Sequence, residues 1–215
     1  MVHPLVEQLR FARSEFQRGL TGVTAQEAQR RVLPMNCISW NVGHLAWQEQ
    51  RYWLSFAQGN VPMPELNDEF AFGAPSSTPA FDDVLRTWHA ITADADSWLD
   101  GITTETLTSK AKAAIGGKPS EYTFGSLLKR VICHYWYHTG ENAAIRQQLG
   151  HSGLPDFVGD IDGEARFDPN PAAADGPRSC TQGPRRSASA PSRPLATEHR
   201  PMGLRRAGSA EPASA

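Results

Sequence analysis

Apolar side chains recur at helical spacing in four stretches of the first 164 residues, and no clear alternating run exceeds four residues. This pattern predicts an all-α fold, a four-helix bundle, and argues against sheet architectures. In the first stretch Leu5, Leu9, Ala12, Phe16 and Leu20 share one helical face. Thr24 reads as an N-cap with Glu27 as its capping-box partner, and Pro34 breaks the short turn that follows. The second helix is expected from about Asn36 to Ala57, ending near Gly59. Residues 60–77 hold three prolines, one glycine and two serines and read as loop. Thr78 and Pro79 look like the cap and first residue of the third helix, whose apolar positions are Phe81, Leu85, Trp88, Ile91, Ala95, Trp98 and Ile102. Residues 103–121 read as a polar connection. The fourth helix is expected from about Tyr122 to Leu149, with Gly150 just past its end. The two long connections are candidates to cover one end of the bundle.

The composition changes near residue 165. Residues 165–215 contain half of the sixteen prolines, eight arginines, no lysine and four acidic residues. Their net charge is +4, against −6 for residues 1–164. A Pro/Ala/Ser/Arg stretch without periodicity cannot bury enough surface to offset its ordering entropy, so 165–215 is expected to be a disordered tail beside a 1–164 domain. The tail reads as a dispensable extension, with a basic arm for an acidic partner as the alternative. The whole chain, at −2, lacks the basic surplus of nucleic-acid binders. No apolar run approaches the roughly 20 residues that span a bilayer. The N-terminal segment carries charges throughout and lacks a signal-peptide core, which makes the cytoplasm the expected compartment. Cys37, Cys133 and Cys180 form no CxxC pair and no disulfide framework.

The chemistry concentrates where apolar stripes turn polar. The fourth helix's inward stripe begins Phe124, Leu127, Leu128, Val131 and ends Ile145, Leu149, but holds His134, His138, Glu141 and Asn142 between. Unpaired buried polar groups cost on the order of 1–3 kcal/mol each, so these need partners. Two histidines at i, i+4 can converge on one metal ion, or simply hydrogen-bond within a core. A third ligand is expected from another helix. The second helix offers His44 in a polar seam with Asn41, Gln48 and Arg51, although His44 also reads as an ordinary core or surface histidine. Three histidines from two helices would leave positions open for substrate, as in a catalytic site.

The segments SWNVGHLAWQEQRYW at 39–53 and HYWYHTGENAAIRQQLG at 134–150 resemble the DinB-like superfamily. The resemblance covers roughly residues 5–164. It implies a four-helix bundle with one metal-binding histidine on the second helix and an H-x3-H pair on the fourth. By position, His44, His134 and His138 become the metal ligands. Family members often carry glutamine where this chain has Glu141, after the last ligand. Glu141 therefore reads as a hydrogen-bond acceptor behind a ligand, a fourth ligand or a general base, or else as a partner of Arg146. Arg51 is a candidate anion clamp for a substrate carboxylate, or a surface ion-pair partner. Cys37 approaches the His44 seam or fills the core; Cys133 points away from His134 and reads as structural. Trp40, Trp47, Tyr135 and Trp136 line an apolar pocket or pack the bundle.

The resemblance also implies a range of activities. Relatives include S-transferases that use mycothiol or bacillithiol, a mycothiol-dependent maleylpyruvate isomerase and proteins described as metal-dependent hydrolases. The first expectation is a metal-dependent thiol S-transferase of detoxification or stress type. A hydrolase that activates water at the open position is the alternative, with a non-catalytic, metal-stabilised binding bundle as the third. Zinc is the expected divalent ion, with nickel or iron as alternatives. The expected partners are a small-molecule electrophile and a low-molecular-weight thiol, not nucleic acid or membrane. The resemblance permits a homodimer, which no seam in the sequence marks.

Overall fold

The computed structural model describes residues 2–111, 120–156 and 158–166. The segment 165–215 expected to be disordered therefore lies, beyond Arg166, outside the described residues, as does the middle of the 103–121 connection.

Helix α1 spans Pro4–Gly19. Its start is set by His3, whose Nδ1 accepts the Leu5 N–H at 3.2 Å, and by proline in the first turn. The short α2, Ala25–Gln29, has the expected reciprocal capping box between Thr24 and Glu27. Helix α3 covers Ile38–Glu49, with Cys37 as its N-cap. It runs directly into a π-helical segment, Gln50–Phe56, so the long second helix is continuous but changes its winding midway. Inside the expected 60–77 loop lies one short helical turn, α4, Leu66–Glu69. Its Leu66 and the following Phe70 are both buried, which explains why this segment folds inward.

Helix α5 spans Phe81–Asp100. Its N-cap is Ala80, without a side-chain cap, so the expected Thr78–Pro79 start is two residues early. Asp82 and Asp83 in the first turn suit the positive end of the helix dipole. A short α6, Thr104–Thr108, interrupts the expected connection and is capped by Thr103 and Thr106. Helix α7 spans Phe124–Gln148, N-capped by Thr123. Its C-terminus closes as a Schellman motif. His151 N–H bonds to Arg146 O and Gly150 N–H to Gln147 O, both at 3.0 Å, with Gly150 at φ +90°. A last turn, α8, covers Ile161–Glu164 and packs against α1. No strand occurs among the described residues, only one isolated bridge between Lys110 and Thr123. No helix among them is long and apolar enough to cross a membrane.

The four long helices form the bundle. Helix α1 packs on α7, and α3 packs on both α5 and α7. Salt bridges from Arg10 to Asp100 and from Arg13 to Asp96 join α1 to α5. At the centre a polar knot ties all four together. Arg13 of α1 grips Glu49 of α3 through two bonds of 2.8 and 2.7 Å. Tyr135 of α7 donates to Glu49 at 2.8 Å, and Trp88 of α5 donates to Tyr135 at 2.7 Å. Burial disfavours the Arg13 charge, but Glu49 more than offsets this and holds the guanidinium pKa above its ordinary value. Burial and the Glu49 carboxylate together keep the Tyr135 hydroxyl protonated.

Candidate metal centre

The site forms where α3 faces α7. His44 projects from α3; His134 and His138 project from successive turns of α7. One ring nitrogen from each histidine lies within 4.8 Å of the others. The Nε2 atoms of His134 and His138 stand 2.9 Å apart. In a tetrahedral site with zinc–nitrogen bonds of about 2.0–2.1 Å, ligand nitrogens stand roughly 3.3 Å apart, so little movement is needed to receive an ion.

The other nitrogen of every ring is already committed. His44 Nδ1 lies 2.6 Å from the Phe70 carbonyl, His134 Nδ1 2.8 Å from Gln48 Oε1, and His138 Nδ1 2.7 Å from Glu141 Oε2. These three oxygens accept, so each Nδ1 carries the proton and each Nε2 presents a lone pair inward. Two such lone pairs at 2.9 Å repel unless a cation lies between or beside them. Burial also pushes His44 down to about 4 and His134 down to about 3, with the neighbouring imidazoles adding to both shifts. Both rings are therefore neutral at pH 7, the form that ligates metals.

The local sequence builds this geometry. The His44 ring is stacked between Trp40 and Trp47 of its own helix, at centroid distances of 4.9 and 5.3 Å. Gly43 makes room for the third acceptor. A Cβ at this position would overlap the Phe70 ring, so only glycine lets Phe70 lie on α3 and bring its carbonyl to His44. Asn67 accepts from Trp47 Nε1 at 3.1 Å and fixes the same short turn. Gln50 bonds both the N–H and the carbonyl of Met63, at 2.9 and 2.8 Å, anchoring the start of this loop. Asn41 Nδ2 reaches Glu141 at 3.0 Å and Asn142 at 2.9 Å, linking α3 to α7 below the ligands.

The remaining expected residues fall into place around this centre. Glu141 touches His138 at its outer nitrogen and lies outside the cluster of convergent atoms. It is not paired with Arg146, which turns to His151 and the Gly19 carbonyl. Arg51 is exposed, 5.3 Å from the ring centres of both Trp47 and Phe56. It makes no ion pair with any described residue. Cys37 is buried and reaches the Ser77 carbonyl, away from the ligand cluster. Cys133 is exposed, not packed. Trp40 and Trp47 flank the site, whereas Tyr135 belongs to the central knot and Trp136 lines a separate cavity.

Sequence reasoning missed the knot and two residues beside the centre. Tyr137, 67% exposed, stands edge-on to His138 at 5.1 Å. The Phe70 carbonyl is a main-chain atom, which no side-chain pattern reveals. The knot did leave a trace. Glu49 interrupts the stripe Val42, Leu45, Trp53, and Arg13 interrupts Val6, Leu9, Phe16. A cation and an anion on two apolar stripes are a readable sign of a buried pair.

A model of the DinB superfamily matches residues 8–141, which include all three histidines. No curated protein matches the chain. Among solved structures, a conserved protein from Enterococcus faecalis is similar at 18% identity, over 68% of this chain and 96% of that one, with a TM-score of 0.44. The family model covers more than half of the chain and all three histidines of the centre, and the chain belongs to the DinB superfamily.

Proposed function

We propose that this protein is an enzyme that holds a divalent metal on His44, His134 and His138 and transfers a low-molecular-weight thiol, of the mycothiol or bacillithiol type, onto a small electrophile. The observation that carries the reading is the set of three imidazoles whose outer nitrogens are all hydrogen-bonded to oxygen while their inner nitrogens converge. A bound divalent cation supplies positive charge that lowers the pKa of a thiol, so that its sulfur is a nucleophile at neutral pH. Three neutral ligands leave that charge undiminished.

The chain's own residues would do the rest. Gln48, Glu141 and the Phe70 carbonyl hold the rings in the ligating tautomer. Trp40 and Trp47 shield His44 from water. Tyr137, exposed beside His138, would meet an incoming electrophile. Arg51 lies on the outer face of Trp47, a place from which it can hold a substrate carboxylate. Glu141 already accepts from His138 and Asn41, which favours an orienting role over proton abstraction from water and supports thiol transfer over hydrolysis. Hydrolysis is the second reading, and a metal-stabilised bundle without catalysis the third.

The test starts with metal content per chain in wild-type protein and the His138→Ala variant. About one divalent ion per wild-type chain, lost in the variant, is expected. Consumption of an electrophile only when a thiol is added identifies a transferase, and consumption without thiol identifies a hydrolase. A wild-type chain that stays metal-free after reconstitution overturns both enzyme readings.

A further inference from the structure

A cavity lies between α1, α7 and residues 154–156, with a volume of about 380 Å³. That is the size of a small-molecule pocket. Trp136, Ala143, Leu154 and Pro155 give it an apolar lining. Gly140 leaves it open, since a Cβ placed there meets nothing within 4 Å. Asp156 and Gly159 are held over α1 by Arg18, which donates to the Asp156 carbonyl at 2.8 Å, and by Glu15, which accepts the Gly159 N–H at 3.0 Å.

The charges of this cavity do not balance locally. Glu15 is buried but fully answered, with Arg18 bonding both carboxylate oxygens at 2.7 and 2.6 Å. Asp156 is exposed, where water screens its carboxylate. Arg146 is only 6% exposed, yet touches no carboxylate among the described residues. Its Nε donates to His151 Nδ1 at 3.1 Å and its Nη1 to the Gly19 carbonyl, neither of them a carboxylate. The nearest acid, Glu27, is reached only through the far nitrogen of His151, at 3.0 Å. Buried guanidinium groups are normally matched by an anion in contact. This one lines an apolar cavity, and the second Nη hydrogen-bonds to no described residue.

We propose that this cavity binds a small organic anion with an apolar body, its carboxylate received by Arg146 and its hydrocarbon part lying along Trp136, Ala143 and Leu154. The site is distinct from the histidine centre and does not depend on metal. Trp136, Gly140 and Ala143 share α7 with His134 and His138, so the ligand would occupy the other face of the metal-binding helix.

Calorimetric titration of the full chain with octanoate and with octan-1-ol tests this. Octanoate should bind one-to-one and about tenfold or more tighter than the alcohol, as expected of a charge-assisted contact. Arg146→Gln should abolish the difference between the two probes. Gly140→Leu, which fills the cavity without touching the arginine, should abolish binding of both while thermal stability and metal content stay at wild-type levels. Equal affinity for the two probes, or octanoate binding that survives Gly140→Leu in folded protein, overturns the proposal.

Discussion

Each imidazole of the centre has one oxygen that fixes its tautomer, and these oxygens can be removed singly. Gln48→Leu deletes the acceptor of His134 while keeping a side chain of similar length. Metal affinity should fall about 10–100-fold, the usual effect of losing such a partner, with little change in thermal stability. A metal titration against a competing chelator measures it. Gly43→Ala should act on His44 in the same direction. Alanine favours helix by about 1 kcal/mol over glycine, yet here its Cβ displaces the Phe70 ring and with it the carbonyl acceptor. Weaker metal binding together with lower stability is the expected pair of readouts. The three histidines and their polar seam were legible because polar residues broke an apolar stripe at helical spacing. Gly43 was visible only as a neighbour of His44, because its purpose depends on a ring arriving from 27 residues away.

At the scale of elements, helix ends were the most legible features where a side chain or a left-handed residue defines them. The Thr24–Glu27 box and the Gly150 terminus are both present as read. The start of α5 was misplaced because Thr78 and Pro79 form a plausible cap by composition, while the chain stays extended through Ala80. The π-helical winding of Gln50–Phe56 left no mark in the apolar pattern. Gly150→Ala should destabilise the protein by about 1–2 kcal/mol, since φ +90° is unfavourable for any residue with a Cβ. Denaturant unfolding with an unchanged slope would record this. Glu27 gives a pH dependence. Hydrogen bonds from the Thr24 backbone and hydroxyl, and then from His151, lower its pKa from 4.5 to about 2. The folded state binds the proton more weakly than the unfolded state, so this contribution is complete above pH 4.5 and is lost as pH falls towards 2. Thr24→Val should flatten the stability profile in that window, read by thermal melts from pH 2 to 6.

Across the bundle, the Arg13–Glu49–Tyr135–Trp88 knot links all four long helices through hydrogen bonds. Glu49→Ala leaves the Arg13 charge buried with only the half-exposed Asp96, and should destabilise by about 3–5 kcal/mol. Tyr135→Phe removes the hydrogen bond to Glu49, leaves Trp88 Nε1 without its acceptor, and should cost at least about 1.5–3 kcal/mol. Equilibrium unfolding of both variants orders them. Met1–Pro169 form one compact unit that holds the knot and the histidine centre, so a chain ending at Pro169 should retain the wild-type melting temperature and metal content.

The centre's three acceptors differ in how they are encoded. Gln48 and Glu141 contribute side chains, whereas Phe70 contributes its main chain. Codon changes can erase the first two directly; the third survives any substitution that lets the backbone pass the same point. The exposed positions of this turn are thus free to drift in sequence while its carbonyl stays in place, provided Leu66 and Asn67 hold the turn and a ring still seats against Gly43. Randomising positions 65, 68 and 69 should return many metal-binding clones, whereas randomising 48 and 141 should return few.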